Sequence, residues 1–217
     1  MARTPPLLDD LHPWLRAKVV ALSRLHQTAF PEKALALIWG HRSVSEQQAA
    51  YAAGRSRLDG RSRYSLHNFL PSLAADLWVY LDAEDVDSVL EEGRLPRGTY
   101  DRLCLLQKGD FKTHYVPLAK LSKKIGLEPG AFWRTLKDGT HHQVPKFQRL
   151  LLSQVCLKNR GFYHGALDGI FGAKSTKALL DACDVAQLDG LPTSRQRRLM
   201  PMTPPLWKWL HDERNFS

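Results

Sequence analysis

The chain has 217 residues, 43% of them hydrophobic, with 31 Lys and Arg against 22 Asp and Glu for a formal charge of +9. That length and apolar content fit one ordinary domain, or one plus a small module, and exclude global disorder and fibrous repeats. No stretch approaches the ~20 apolar residues of a membrane span, and MARTPPLLDDLHPW has prolines and two acids where a signal peptide needs an apolar core, so a cytoplasmic start is expected.

Along residues 7–30, Leu11, Leu15, Val19, Leu22 and Leu25 stand at helical spacing, a stripe interrupted early by Pro13, and predict a first helix. ALALIWG at 34–40 is short, apolar and closed by Gly40, as a buried strand should be. The alanine-rich run after it predicts a helix with Ser45 as its N-cap and Gly54 at its end. Residues 55–72 turn to Arg, Ser, Gly and Asp and read as a long loop, and LAADLWVYL at 73–81 reads as a central strand. Residues 83–110 are acidic and irregular. Val116, Leu118, Ala119, Leu121 and Ile125 then predict a helix stopped at Gly126. Pro145 marks a boundary, after which the pattern is helix, glycine-rich turn, helix. Residues 1–144 hold 20 basic and 16 acidic side chains and residues 145–217 hold 11 and 6, so the smaller part is the more basic.

Cys104, Cys156 and Cys183 are odd in number and widely spaced, which fits neither a disulfide framework nor a CxxC knuckle; they read as buried thiols. The positive charge needs a negative partner, and composition alone leaves nucleic acid, an anionic membrane surface and an anionic wall polymer open. No helix-turn-helix, zinc-finger or RNP pattern is visible. The clusters Arg55, Arg57, Arg61, Arg63 and Arg195, Arg197, Arg198 read first as solvated surface.

Among the 9 histidines, two places set a His beside a carboxylate: Ser65-Leu66-His67 followed by Asp76, and Asp138-Gly139-Thr140-His141-His142. A mononuclear catalytic zinc site takes three protein ligands and keeps a fourth position for water, and two His with one carboxylate meet that need. His67, Asp76 and one of the tandem histidines would be the ligands and Asp138 the base that takes the proton of the attacking water. Taken alone this signal is weak, and the residues read first as partly exposed polar side chains at His67 and His141 and a helix or strand cap at Asp76. If 140–144 is extended, adjacent side chains point to opposite faces, so one of His141 and His142 reaches a metal; the spacing from Asp138 favours His141.

The runs GHRSVSEQQAAYAAGRS (40–56), SLHNFLPSLAADL (65–77) and GLEPGAFWRTLKDGTHHQ (126–143), in that order, resemble the zinc peptidases of the D-Ala-D-Ala carboxypeptidase and L-alanyl-D-glutamate endopeptidase family, phage endolysins among them. The resemblance covers about residues 10–144. It implies one zinc ion per chain on His67, Asp76 and His141, Asp138 as catalytic base, and Arg42 steadying the developing oxyanion. Gln47 and Ser65 would line the cleft, and Trp133 would stand near the site. Three departures are a longer His67-to-Asp76 interval carrying Leu70-Pro71-Ser72, a 138–141 turn without proline, and Pro129-Gly130-Ala131 where Trp-Gly-Gly is frequent; the last bears on pocket shape and the bond cut.

GFYHGALDGIFGAKSTKALL (161–180) resembles the peptidoglycan-binding domain, a small three-helix fold, with Asp168 bonding local amides and Tyr163 and Phe171 as candidates for glycan contact. Together the resemblances imply an α+β fold: a catalytic domain (1–144) with helices on a small, mainly antiparallel sheet, and a three-helix binding module (145–217). They imply a phage endolysin cutting a stem-peptide bond of bacterial peptidoglycan, L-alanyl-D-glutamate first, with D-Ala-D-Ala or cross-link cleavage as the enzymatic alternative. A non-catalytic wall-binding or virion structural protein is the alternative of another class. The implied partners are peptidoglycan, no nucleic acid, a transient contact with an anionic membrane or outer-membrane surface through the basic tail, and a holin that would release the protein from the host cytoplasm at lysis.

Overall fold

The computed structural model describes residues 8–81, 111–135, 137–188 and 200–216. The acidic stretch 83–110, Cys104 and the run Arg195, Arg197, Arg198 lie outside the described residues. Helix α1 (Pro13–Ala29) buries Leu15, Val19, Leu22, Ser23 and His26 along one stripe. Pro13 opens the helix instead of interrupting it: at the first helical position its missing N–H costs nothing, and His12 Nδ1 caps the turn by accepting from the Trp14 amide.

Strand β1 (Lys33–Trp39) has five consecutive buried residues, so both of its faces are covered. It pairs with β2 (Ala74–Leu81), the central strand expected from the sequence. Two short strands complete the sheet, β3 (Glu128–Pro129) and β4 (His141–Gln143), in the order β1-β2-β4-β3 with every pairing antiparallel. The register sets Asp76 of β2 directly opposite His141 of β4. Helix α1 packs on β1 and on α3 (Val116–Lys124), which follows a π-helical turn over Phe111–Tyr115 and ends at the positive-φ Gly126.

Helix α2 (Val44–Ala52) starts two residues earlier than expected. Ser43, not Ser45, is the N-cap: its Oγ accepts from the Glu46 amide while the Glu46 carboxylate accepts from the Ser43 N–H, a reciprocal box. Gly54, at φ +69°, follows its end as expected. Beyond Pro145 lie α4 (Lys146–Asn159), α5 (Ala173–Ala186) and α6 (Pro204–His211).

The chain divides into two compact units, Met1–His41 with Ser72–Val144 and Arg42–Pro71 with Pro145–Ser217. The first holds the sheet, α1 and α3. In the second, the fully buried Trp207 of α6 anchors the loop after α2: its Nε1 donates to the Pro71 carbonyl at 3.0 Å and its ring meets the Phe69 edge. The turn between α4 and α5 is organised by Gln154, also fully buried, whose amide donates to Asp168 Oδ1 and the Ile170 carbonyl and accepts from the Gly169 N–H. Asp168 also accepts from the Ile170 amide, the local bonding expected of it.

Candidate metal centre

The loop that carries His67 is fixed by its own backbone. Ser65 caps a 3-10 turn over Leu66–Asn68, its Oγ accepting from the His67 amide, and Asn68 Oδ1 accepts from the Ser65 amide in return. The His67 carbonyl accepts from the Arg42 amide at 2.8 Å, and Asn68 Nδ2 donates to the Arg42 carbonyl at 2.9 Å, so Arg42 and His67 are tied at both backbone ends. His67 is buried. Gln47, with no exposed surface, donates to Ser56 Oγ and the Leu58 carbonyl and accepts from Arg42 Nη1 at 3.2 Å. Its role here is to aim Arg42 and pin the loop, and Gly60 packs on its side chain.

Asp76 and His141 face each other across the β2–β4 ladder, where directly opposed residues point to the same side of the sheet. Asp76 Oδ1 lies 3.1 Å from His141 Nδ1, and His141 Nε2 lies 3.0 Å from Gln143 Oε1. Burial disfavours the His141 imidazolium, but the bond to Asp76, the charges of Asp76 and Asp138 and the bond to Gln143 outweigh it and raise the pKa. His142 projects to the other face, its Nδ1 2.8 Å from Ser122 Oγ; burial, then the neighbouring His141, push it down to about 3, so it stays neutral.

One ligand atom each from His67, Asp76 and His141 lies within 4.8 Å of the others, and this group could hold a metal ion. The fit rests on donor chemistry. Two imidazoles and a carboxylate suit a borderline divalent cation. Two ligands at ~2.0–2.1 Å from a tetrahedral zinc stand roughly 3.3 Å apart, close to the observed Asp76–His141 separation of 3.1 Å.

Asp138 sits on the turn leading into β4. Its Oδ1 accepts from the Thr140 amide, Thr140 Oγ1 and the His141 amide, leaving Oδ2 without a partner among the described residues. Gly130 makes this turn fit: a Cβ there would stand 2.8 Å from the Asp138 carbonyl and 3.1 Å from His141 Cβ. Gly139 backs onto Tyr115 in the same way, so the turn closes without the proline common in the resembled family. The half-buried Trp133 lies against the His141 ring with centroids 4.9 Å apart and donates from Nε1 to Glu128.

Tyr163 is buried, its hydroxyl donating to the Ala166 carbonyl, and Phe171 is half-buried beside the turn that Gln154 holds. The thiols read as buried differ: Cys183 is buried, whereas Cys156 is half-buried with Sγ 3.5 Å from His211 Nε2, and burial of that sulfur pushes its pKa up to about 12. Sequence reasoning missed Gln143, Gly130 and Glu128; the alternation of an extended 141–143 could have placed Gln143 on the face of His141.

No family model and no curated protein matches the chain. Among solved structures, the chain is similar to the L-Ala D-Glu endopeptidase ChiX of Serratia marcescens, at 23% identity and a TM-score of 0.41, over 64% of this chain and 83% of that one.

Proposed function

We propose that the protein is a zinc-dependent peptidase that hydrolyses a stem-peptide bond of bacterial peptidoglycan, L-alanyl-D-glutamate first, as a phage endolysin. The observation that carries this reading is the meeting of His67, Asp76 and His141. Asp138 adjoins one of the three with a carboxylate oxygen to spare. The motif order of residues 40–143 supports the substrate class.

In this reading a zinc ion on the three ligands supplies Lewis acidity toward the scissile carbonyl and acidifies a water. Asp138 Oδ2 takes the proton of that water as its oxygen attacks the carbonyl carbon, and returns it to the departing amine as the C–N bond breaks. Arg42, held by Gln47, offers a permanent cation to the carbonyl oxygen as charge develops. Residues 1–144 carry the catalysis, and 145–217, as a three-helix module, hold the enzyme on the wall and raise its local concentration. The protein waits in the host cytoplasm until a holin opens the membrane, and its basic tail meets anionic surfaces on the way.

Purified peptidoglycan digested with and without a chelator, with newly freed amino groups labelled and identified by mass spectrometry, tests the reading. New D-Glu amino termini that vanish with chelator are expected. Released D-Ala would move the assignment to a carboxypeptidase, and no new amino group would leave a wall-binding protein without this chemistry.

A further inference from the structure

A histidine ligand works only as one tautomer. The nitrogen that meets the metal must present its lone pair, so the ring proton has to sit on the other nitrogen, and whatever binds there decides how well the ligand is prepared. At His141 the two nitrogens have different neighbours. Nδ1 faces Asp76 Oδ1 at 3.1 Å and Nε2 faces Gln143 Oε1 at 3.0 Å. An amide oxygen has no hydrogen to give, so this contact keeps a hydrogen on Nε2; the Asp76 carboxylate likewise only accepts, so a metal at Nδ1 would take the place of the hydrogen that Nδ1 gives to Asp76.

Three features hold Gln143 to that task. It is buried, at 5% exposure, so water does not readily stand in for its oxygen. It lies two residues after His141 on β4, so both side chains share the face that Asp76 also uses. On β2 its cross-strand neighbour is Ala74, whose small side chain leaves room for the amide to lie along the strand. Trp133 meanwhile lies against the ring of His141. The imidazole is therefore held at both nitrogens and on a face.

We propose that Gln143 is a positioning residue for the metal centre: its Oε1 holds the ring proton of His141 on Nε2 and so presents Nδ1 as the ligand atom. This rests on the reading of His67, Asp76 and His141 as metal ligands. Gln143 touches neither substrate nor metal, and its effect runs through the affinity of the centre.

The test uses full-length protein, with zinc affinity measured by competition against a chromophoric chelator for wild type, Gln143→Leu and Gln143→Glu. Loss of a partner of this kind costs 10–100-fold in metal affinity, and that drop is expected for Gln143→Leu. Gln143→Glu keeps an acceptor at the same reach and should bind zinc at least as tightly as wild type. In zinc-loaded, nitrogen-labelled protein, NMR should show the His141 ring protonated at Nε2, with that proton protected from exchange in wild type and Gln143→Glu. Leucine and glutamate variants that both bind within twofold of wild type, or that both fall equally, would overturn the proposal. So would a wild-type His141 protonated at Nδ1 with zinc bound. Wild-type protein that takes up no zinc would overturn the underlying reading of the centre as well. Should the leucine variant fail to fold, the glutamate variant and the wild-type tautomer still decide the matter.

Discussion

Asp76 and His141 meet through strand register, and the same register sends His142 away. The tandem histidines at 141 and 142 were legible as alternatives because an extended segment alternates its faces, and the spacing from Asp138 favoured His141; the β2–β4 register sets that residue opposite Asp76. His141→Leu should abolish stoichiometric zinc uptake, whereas His142→Leu should keep it. The second variant trades a Ser122 bond worth ~1 kcal/mol for removal of a buried Nε2 that has no partner among the described residues, so its stability should stay within about 2 kcal/mol of wild type. Zinc content and urea midpoints of both variants check this, and loss of zinc in His142→Leu would move the ligand. His26 carries a separate pH signal. Burial and then Lys33 lower its pKa to about 4, with Glu32 opposing and His114 adding a little. The folded state therefore keeps His26 neutral, while the unfolded chain protonates near 6.5. Its contribution is fully present above pH 6.5 and lost as the pH falls toward 4, by roughly 3 kcal/mol at the end of that window. The stability difference between wild type and His26→Gln, followed from pH 7 to 4, should shrink by that order; a constant difference would show that His26 does not titrate on unfolding.

At the scale of elements, those with a long repeated pattern were the readable ones. Helix α1 announced its buried stripe apart from Leu25, which is exposed while the next residue, His26, is buried, and β1 its apolar run, whereas β3 and β4 have two and three residues, too few for any alternation to register. These short strands carry one of the three residues that could hold a metal ion, and their existence depends on pairing, β4 with β2 and β3 with β4, and not on propensity. The start of α2 was misplaced by two residues because Ser43 and Ser45 each have a side chain three positions on, Glu46 and Gln48, that could complete a capping box, and the chain uses the first. Ser43→Ala should accordingly cost about 1 kcal/mol and Ser45→Ala little, as read from denaturation midpoints. The glycine-rich motif at 161–172 was legible as a turn, but its organiser was not, since Gln154 lies in α4, upstream of the motif. Gln154→Leu leaves the Gly169 N–H and the Ile170 carbonyl without their bonds and should cost about 2–4 kcal/mol. A variant as stable as wild type would mean water or a neighbour replaces the amide.

For the molecule as a whole, the order of motifs indicated a catalytic part ending before Pro145, yet residues 42–71, which include Arg42 and His67, fold as one compact unit with 145–217. That grouping is invisible to sequence periodicity, because it depends on a tryptophan more than a hundred residues from the loop it anchors. Trp207 gives its indole N–H to the Pro71 carbonyl and its ring to Phe69, two residues beyond His67. Trp207→Ala should therefore do more than open a cavity costing ~3–5 kcal/mol. It should loosen the 60–71 loop, make that loop the first site of limited proteolysis, and lower zinc affinity although residue 207 holds no ligand. Trp207→Phe keeps the ring but not the N–H and should fall between. Paired measurements of cleavage position and zinc affinity on the folded variants decide the point: an intact loop and wild-type affinity in Trp207→Ala would show that the Ser65–Asn68 turn and its Arg42 backbone bonds hold His67 by themselves.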